Sequence, residues 1–172
     1  MLKLRSKVLG GIGALAIAGV LAATGLTAAS ASQAASSSGF EYFQILNTSG
    51  APNVSASIIA RGLFTAGGTV TNTTGGSPTG TVTFPDGTFA ITHSRGTGTP
   101  RFNPKTCLGV LVLNGTYVLS GGTGAYAGIS GHGIYRLNIL IVSARNSAGK
   151  CSHKLPPTAF QQIIRAQGPV HL

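Results

Sequence analysis

Apolar and polar residues alternate along most of the chain after residue 40, and no segment keeps a helical period of 3.6 residues. β-branched residues are frequent in the alternating runs, and Gly, Pro, Asn and Asp cluster between them. The pattern predicts strands at 40–47, 55–65, 79–84, 88–94, 107–113, 116–120, 134–143 and 159–167. It predicts loops at 96–105 and 146–157, and either a loop or a weak edge strand at 66–80. Seven or eight short strands joined by turns are typical of an antiparallel barrel or sandwich.

Two turn signals stand out within this pattern. Pro85-Asp86-Gly87 separates two alternating runs and predicts a hairpin. Asn114-Gly115, the strongest two-residue hairpin signal, predicts a second one. Asp86 therefore takes a structural position at a turn tip, where Asp favours backbone hydrogen bonding, and it is not a catalytic candidate.

Two of the predicted strands are apolar on both faces. In 107–113, Leu108, Val110 and Val112 alternate with Leu111 and Leu113. In 134–143, Tyr135, Leu137, Ile139 and Ile141 alternate with Ile134, Leu140 and Val142. A half-buried strand needs only one apolar face. We therefore expect the second face to be covered too, by a chain segment or by another copy, and we predict a homo-oligomer, a trimer or a dimer.

The N-terminus has the three parts of a secretory signal peptide. Lys3, Arg5 and Lys7 precede an apolar core at 12–21, and Ala29-Ser30-Ala31 supplies a small-residue cleavage site. The alternative is an uncleaved membrane anchor, but the apolar run is short for a bilayer span of about 20 residues. We predict cleavage after Ala31, a secreted protein, a disordered linker at 32–38 and one domain at 39–172.

Charge and cysteine content narrow the chemistry of the mature chain. Nine Lys and Arg remain against Glu41 and Asp86, a net charge of +7, and two acids leave little scope for paired-carboxylate catalysis. Cys107 and Cys151 are the only cysteines, and in an exported chain such a pair predicts a disulfide. Two buried free thiols are the alternative. A metal site is not supported, because no His or Cys lies at ligand spacing from either cysteine.

The segment 120–135 contains six glycines, Gly121, Gly122, Gly124, Gly128, Gly131 and Gly133. It does not fit the dinucleotide fingerprint, because the spacing is one residue too long and a strand follows instead of a helix. No Gly-Lys-Ser/Thr phosphate loop is present. Regular apolar residues also argue against a free linker. The segment fits a tight connection between strands, with the last two glycines allowing a bend or close packing.

TYVLSGGTGAYAGISGHGIY at 116–135 resembles the G-G-T-G-x-Y-x-G-x-x-G-x-G signature of the allene oxide cyclase-like barrel superfamily, which includes the dirigent proteins. GTYVL at 115–119, the PDG hairpin and the C-terminal AFQQIIRAQGPVHL resemble its small secreted bacterial branch. The resemblance spans about residues 40 to 172. It implies an eight-stranded antiparallel barrel with a central cavity, often trimeric in the plant members. The glycine motif is then structural. Plant relatives guide cyclisation or radical coupling of apolar or phenolic intermediates.

Four residues are candidates for a ligand site. Glu41 shares a strand face with Phe43 and Ile45, so it is either a buried acid with a raised pKa or, more in keeping with the rarity of buried Glu, an exposed carboxylate. Dirigent-like relatives have a pocket acid on the first strand, and Glu41 is a possible match. Arg136 and Asn138 either close a cavity or form a polar rim. Tyr117 is a ligand contact or, as we favour, a core aromatic, like Tyr126 and Tyr135.

The sequence offers no catalytic or cofactor site. The four histidines, His93, His132, His153 and His171, are too scattered to bind a metal, and His93 and Ser94 point to opposite strand faces. We predict no cofactor and no nucleic acid partner, because the cations are spread over turns and loops and the protein is exported. The charge serves solubility or adhesion to an anionic cell-wall polymer.

Three functions remain open. We rank a non-catalytic binder of an apolar or aromatic small molecule first, and a cell-surface structural or wall-polymer-binding protein with a filled barrel second. A guide of small-molecule cyclisation or coupling, which would be an isomerase of cyclase type, ranks third.

Overall fold

The computed structural model describes residues 37–49, 55–72 and 78–172. The predicted signal peptide at 1–31 and residues 32–36 of the predicted linker lie outside them. The last two residues of that linker are ordered, since Ser37 exchanges backbone hydrogen bonds with Leu172 and Ser38 begins β1. The strands are β1 (Ser38–Asn47), β2 (Ala56–Gly62), β3 (Thr65–Asn72), β4 (Thr79–Phe84), β5 (Gly87–His93), β6 (Pro100–Asn103), β7 (Leu108–Ser120), β8 (Ser130–Val142) and β9 (Ala159–His171). A single 3-10 turn, Gly124–Tyr126, is the only helical element of the described part. None of its elements is a helix long and apolar enough to cross a membrane.

All neighbouring strands are antiparallel, in the order β5-β4-β3-β2-β1-β9-β8-β7, and pairing of β5 with β7 closes the sheet. The result is the predicted eight-stranded antiparallel barrel. β6 is an additional outer strand that pairs with the beginning of β7. β5 pairs with the end of β7, and β6 pairs with its beginning. The two strands therefore lie one after the other along the same edge of β7.

Strand lengths divide the molecule into two parts. β7, β8 and β9 have 13 residues each, whereas β2 to β5 have six to eight. The long strands therefore continue beyond the closed barrel as a smaller sheet with β6. We call this sheet the extension and define it as residues 100–103, 108–113, 137–142 and 159–164.

Two strand predictions were wrong. The predicted strand at 55–65 is divided into β2 and β3, because the chain turns at Leu63, whose amide donates to the carbonyl of Phe40 (3.1 Å). The predicted hairpin at Asn114-Gly115 does not exist. β7 runs through it and pairs with β8 from Leu108 to Leu119, and Gly115 makes room for the ring of Tyr135.

The loop predictions were only partly right. The stretch 66–80, predicted as a loop or a weak edge strand, contains most of β3, which lies between β2 and β4 and is not an edge, and the start of β4. The predicted loop at 96–105 contains β6. Two strand ends lie further out than expected, since β8 begins at Ser130 and β9 continues to His171. The hairpin at Pro85-Asp86-Gly87 joins β4 to β5, as predicted.

The glycine stretch forms the connection from β7 to β8 and the first residues of β8. Gly124 has a φ of 58° in the 3-10 turn, a left-handed conformation that favours glycine. Gly133 lies within β8, where a Cβ would collide with the carbonyl of Gln167 and lie 2.8 Å from the ring of Tyr117. The stretch therefore lets β8 and β9 pack closely around a tyrosine.

Cys107 and Cys151 form the predicted disulfide, with their Cα atoms 5.4 Å apart. It joins the β6–β7 loop to the β8–β9 loop at the far end of the extension. Arg145 connects the same two loops, because its guanidinium donates to the carbonyls of Lys105 and Gly149 (2.6 Å each).

Candidate functional site

Glu41 lies in the barrel interior and is 0% exposed. Its carboxylate accepts hydrogen bonds from the backbone amides of Phe64 (3.1 Å) and Tyr42 (3.3 Å). Burial raises the pKa of Glu41 above its ordinary value of 4.5, and the hydrogen bonds from backbone amides at and around the β2–β3 turn oppose that rise. These contacts make Glu41 the anchor of the turn between β2 and β3.

Tyr117 lies close to Glu41 and also points inward from β7, with 2% of its surface exposed. Within the described residues its hydroxyl has no hydrogen-bond partner. Burial, with the charge of Glu41 as a second cause, raises the pKa of Tyr117 to about 12. Burial therefore favours the neutral form of this phenol.

Aromatic rings occupy the barrel interior around these two groups. The rings that contact one another, with centroids 5.0 to 6.3 Å apart, belong to Phe43, Phe64, Phe84, Phe89, Tyr117 and Tyr126. Because Glu41 has no exposed surface, no water-sized space adjoins its carboxylate. The geometry is that of a packed core.

Tyr135 on β8 points into the barrel and is buried. Because successive side chains of a strand point to opposite faces, Arg136 and Asn138 lie on the outer face of β8. They therefore do not close an interior cavity. Arg136 is directly opposite Arg165 on β9, and Asn138 is opposite Ile163. Arg165 was not among the predicted site residues, because only the strand register shows that it neighbours Arg136.

A groove of about 390 Å³ lies on the inner face of the extension, where that face leaves the closed barrel. Apolar side chains on β6, β7 and β8 form most of the groove, together with a histidine from the β8–β9 loop. The lining residues include Pro100, Phe102, Leu111, Ile139, Ile141 and His153. Phe102 is 44% exposed, and its ring centroid lies 5.3 Å from that of His153. We call this site the extension groove. Sequence analysis missed it, although the two-faced apolar pattern of 107–113 and 134–143 pointed to these strands.

Basic residues concentrate at the extension end of the molecule. Five of the nine Lys and Arg residues after position 31 lie on β6 and on the two disulfide-linked loops, namely Arg101, Lys105, Arg145, Lys150 and Lys154. Asp86 lies in the β4–β5 turn beyond the other end of β7, about 30 Å away along the strand. Glu41 is about 20 Å away by the same count and buried. The extension end of the molecule is therefore strongly positive.

Metal ligands do not cluster in the part of the chain that the structure describes, where no group of three His, Cys, Asp or Glu could hold an ion. The histidines serve separate local contacts. His171 shares a hydrogen bond with Ser38 (2.7 Å), and the ring of His93 packs edge-on against Tyr135 (5.8 Å).

The fold and the groove describe a closed β-barrel protein with a basic, apolar-lined extension. The chain matches no protein-family model, no curated protein and no solved structure. The likeness of its glycine motif to the allene oxide cyclase-like superfamily stays a prediction.

Proposed function

We propose that the protein is a non-catalytic binder of an apolar or aromatic small molecule that carries an anionic group, and that the extension groove is its site. The observation that supports this most is the groove itself. Its volume of about 390 Å³ falls within the range of roughly 300–1,000 Å³ that is typical of small-molecule sites. Leu111, Ile139 and Ile141 would contact the apolar part of the ligand.

The charge distribution favours an anionic group on that ligand. Arg101 and His153 line the groove, Lys154 follows His153, and both acids of the mature chain are remote. A site with cations and no neighbouring carboxylate attracts anions and raises their local concentration. A carboxylate, sulfonate or phosphate at the basic end, with the apolar part in the groove, matches this arrangement.

The interior gives little support to the cyclase-like alternative. Catalysis there would need Glu41 in contact with a substrate, but its carboxylate is enclosed by backbone amides and aromatic rings. The burial of Glu41 and the ring contacts of the core favour the two non-catalytic functions.

A pair of fluorescent probes tests the proposal. Anilinonaphthalene sulfonate carries an anionic group, and N-phenyl-1-naphthylamine has the same aromatic framework without it. We expect the sulfonate to bind the folded protein more tightly, and added salt to reduce that difference. Equal affinity for both probes at low salt would contradict the anionic part of the proposal.

Two matched variants test the location of the site. Ile139→Gln places an amide in the groove and is expected to weaken binding of the sulfonate probe at least about tenfold. Ile134→Gln makes the same change on the outer face of the same strand, where Ile134 is 60% exposed, and is expected to leave the affinity unchanged. Equal affinities for the two variants would place the probe elsewhere.

Native mass spectrometry of the secreted protein, incubated with extract of the producing cells, would identify the natural ligand. We expect a small-molecule mass that is lost on unfolding and is absent from the Ile139→Gln variant.

We also propose that the protein is a homo-oligomer. Val118 (54% exposed) and Ile134 (60%) lie on the outer face, and the outward side chains of the extension are only partly covered. Sedimentation velocity at micromolar concentration is expected to show a dimer or trimer, and a monomer alone would contradict this proposal.

A further inference from the structure

Two arginines are direct neighbours on the outer face of the barrel. Arg136 on β8 and Arg165 on β9 are register partners, and both are exposed. The residues beside them in sequence, Tyr135 and Ala166, are buried in the core, so both guanidinium groups start from the same outer face. Opposite residues in an antiparallel pair have Cβ atoms about 5 Å apart, and like charges at this separation destabilise the sheet.

The chain has no acidic side chain beside this pair. Glu41 has no exposed surface, and Asp86 lies in the β4–β5 turn. A second copy of the chain would bring only the same two acidic side chains. In the part of the chain that the structure describes, neither arginine makes a hydrogen bond or an ion pair with another side chain. Any partner for the pair therefore comes from a different molecule.

Two further exposed arginines lie on either side of the pair in the strand order. Arg61 lies on β2, two strands from Arg165, and Arg95 follows β5 on the other side of β7. We call Arg61, Arg95, Arg136 and Arg165 the arginine belt. At about 4.8 Å per strand, the belt crosses roughly 24 Å of the barrel surface. The exposed ring of Tyr42 lies beside Arg61 and could pack against an uncharged part of a ligand.

We propose that the arginine belt binds an extended phosphodiester polymer, with Arg136 and Arg165 holding one phosphate group between them. Guanidinium groups form forked hydrogen bonds to phosphate, and a phosphodiester offers two non-bridging oxygens, one for each arginine. Repeated phosphates reach the other arginines, which a single phosphate ion cannot do. The belt follows a convex barrel wall, which a flexible chain can follow and a flat bilayer cannot. Arg61, Arg136 and Arg165 lie on the opposite sheet face from the extension groove, so the proposal is independent of the small-molecule function.

The test is a binding titration with synthetic poly(glycerol phosphate) of about ten units at several salt concentrations. The variant Arg136→Gln/Arg165→Gln is expected to bind at least about tenfold more weakly. It is also expected to lower the slope of log affinity against log salt by between one and two, as polyelectrolyte contacts do. The control Lys105→Gln/Lys150→Gln removes the same charge from the disulfide-linked loops, and a loss of less than threefold is expected.

Thermal unfolding provides a second test that does not depend on the binding titration. Removing the like-charge contact is expected to raise the Tm of the double arginine variant in the absence of polymer, and the polymer is expected to raise the Tm of the wild type but not of the variant. Equal losses of affinity in both double variants would overturn the proposal. So would binding of inorganic phosphate as tight as that of the polymer, or binding only to phosphatidylglycerol vesicles.

Discussion

Tyr117 and Tyr135 provide a direct comparison of a buried hydroxyl with and without a partner. The Tyr117 hydroxyl has none within the described residues, whereas the Tyr135 hydroxyl donates to the carbonyl of Ser94 (3.0 Å). Tyr117→Phe is expected to raise the free energy of unfolding by about 1 kcal/mol, because it removes an unsatisfied buried group. Tyr135→Phe is expected to lower it by about 1 kcal/mol, because it removes a hydrogen bond. Urea unfolding measures both, and a loss of stability in Tyr117→Phe would show that its hydroxyl has a partner.

Glu41 predicts a pH dependence of stability. Its pKa is raised in the folded state by burial, so the folded protein holds this proton more tightly than the unfolded chain. Its contribution to stability is therefore fully present below the unfolded pKa and is lost as the pH rises through the folded pKa. Glu41→Gln removes this dependence. The free energy of unfolding of the wild type minus that of Glu41→Gln is expected to fall from pH 4 upward. A rise would show that the backbone hydrogen bonds outweigh burial in setting the pKa of Glu41.

At the residue scale, the sequence carried part of this information. Alternation correctly grouped Glu41 with Phe43 and Ile45, but composition statistics favoured an exposed carboxylate. The correct orientation depends on the turn at Leu63 and Phe64, where the amide of Phe64 donates to the carboxylate. That turn follows from packing against β1, which local residue preferences do not encode.

The close packing of β8 against β9 can be tested through its glycines. Gly133→Ala is expected to destabilise the protein by about 1–3 kcal/mol, because the new methyl group meets the Gln167 carbonyl and the Tyr117 ring. Gly67→Ala on β3 serves as the control, since a Cβ there has no neighbour within 4 Å. Chemical denaturation of both variants measures the difference, and equal stabilities would contradict the packing described for β8.

The disulfide connects the two loops at the end of the extension. Its cysteines are 44 residues apart in sequence, and loop entropy predicts a contribution of about 4 kcal/mol to stability. Cys107→Ser/Cys151→Ser is expected to lose about this amount in urea unfolding. Hydrogen exchange should show faster opening of β6 and of the start of β7 than of β1. A stability change below about 1 kcal/mol would mean that the other contacts hold the loops.

At the element scale, the strands were largely predictable and their lengths were not. Strong alternation located most strands, and Pro85-Asp86-Gly87 correctly marked a hairpin. Asn114-Gly115 has an equally strong turn signal, yet it lies within β7, because pairing with β8 along the whole strand outweighs the local preference. The extension groove depends on β7, β8 and β9 being longer than their neighbours, which only the full register shows.

On the scale of the whole molecule, the nine Lys and Arg residues after position 31 fall into two groups with different surroundings. Five lie at the extension end and four form the arginine belt. The sequence showed the excess of positive charge but not this division, since the belt joins residues up to 104 positions apart that meet only through the barrel. Two separate anionic partners, one small and one polymeric, are the consequence we propose.

The proposed function requires that the ligand binds in the extension groove and not in the barrel interior. Methyl NMR of isoleucine-labelled protein, titrated with anilinonaphthalene sulfonate, tests this directly. Ile139 and Ile141 report on the groove, whereas Ile58 and Ile129 are buried in the barrel core. We expect the methyl signals of Ile139 and Ile141 to shift while those of Ile58 and Ile129 stay in place. Shifts confined to Ile58 and Ile129 would contradict the account and return the ligand to the barrel interior.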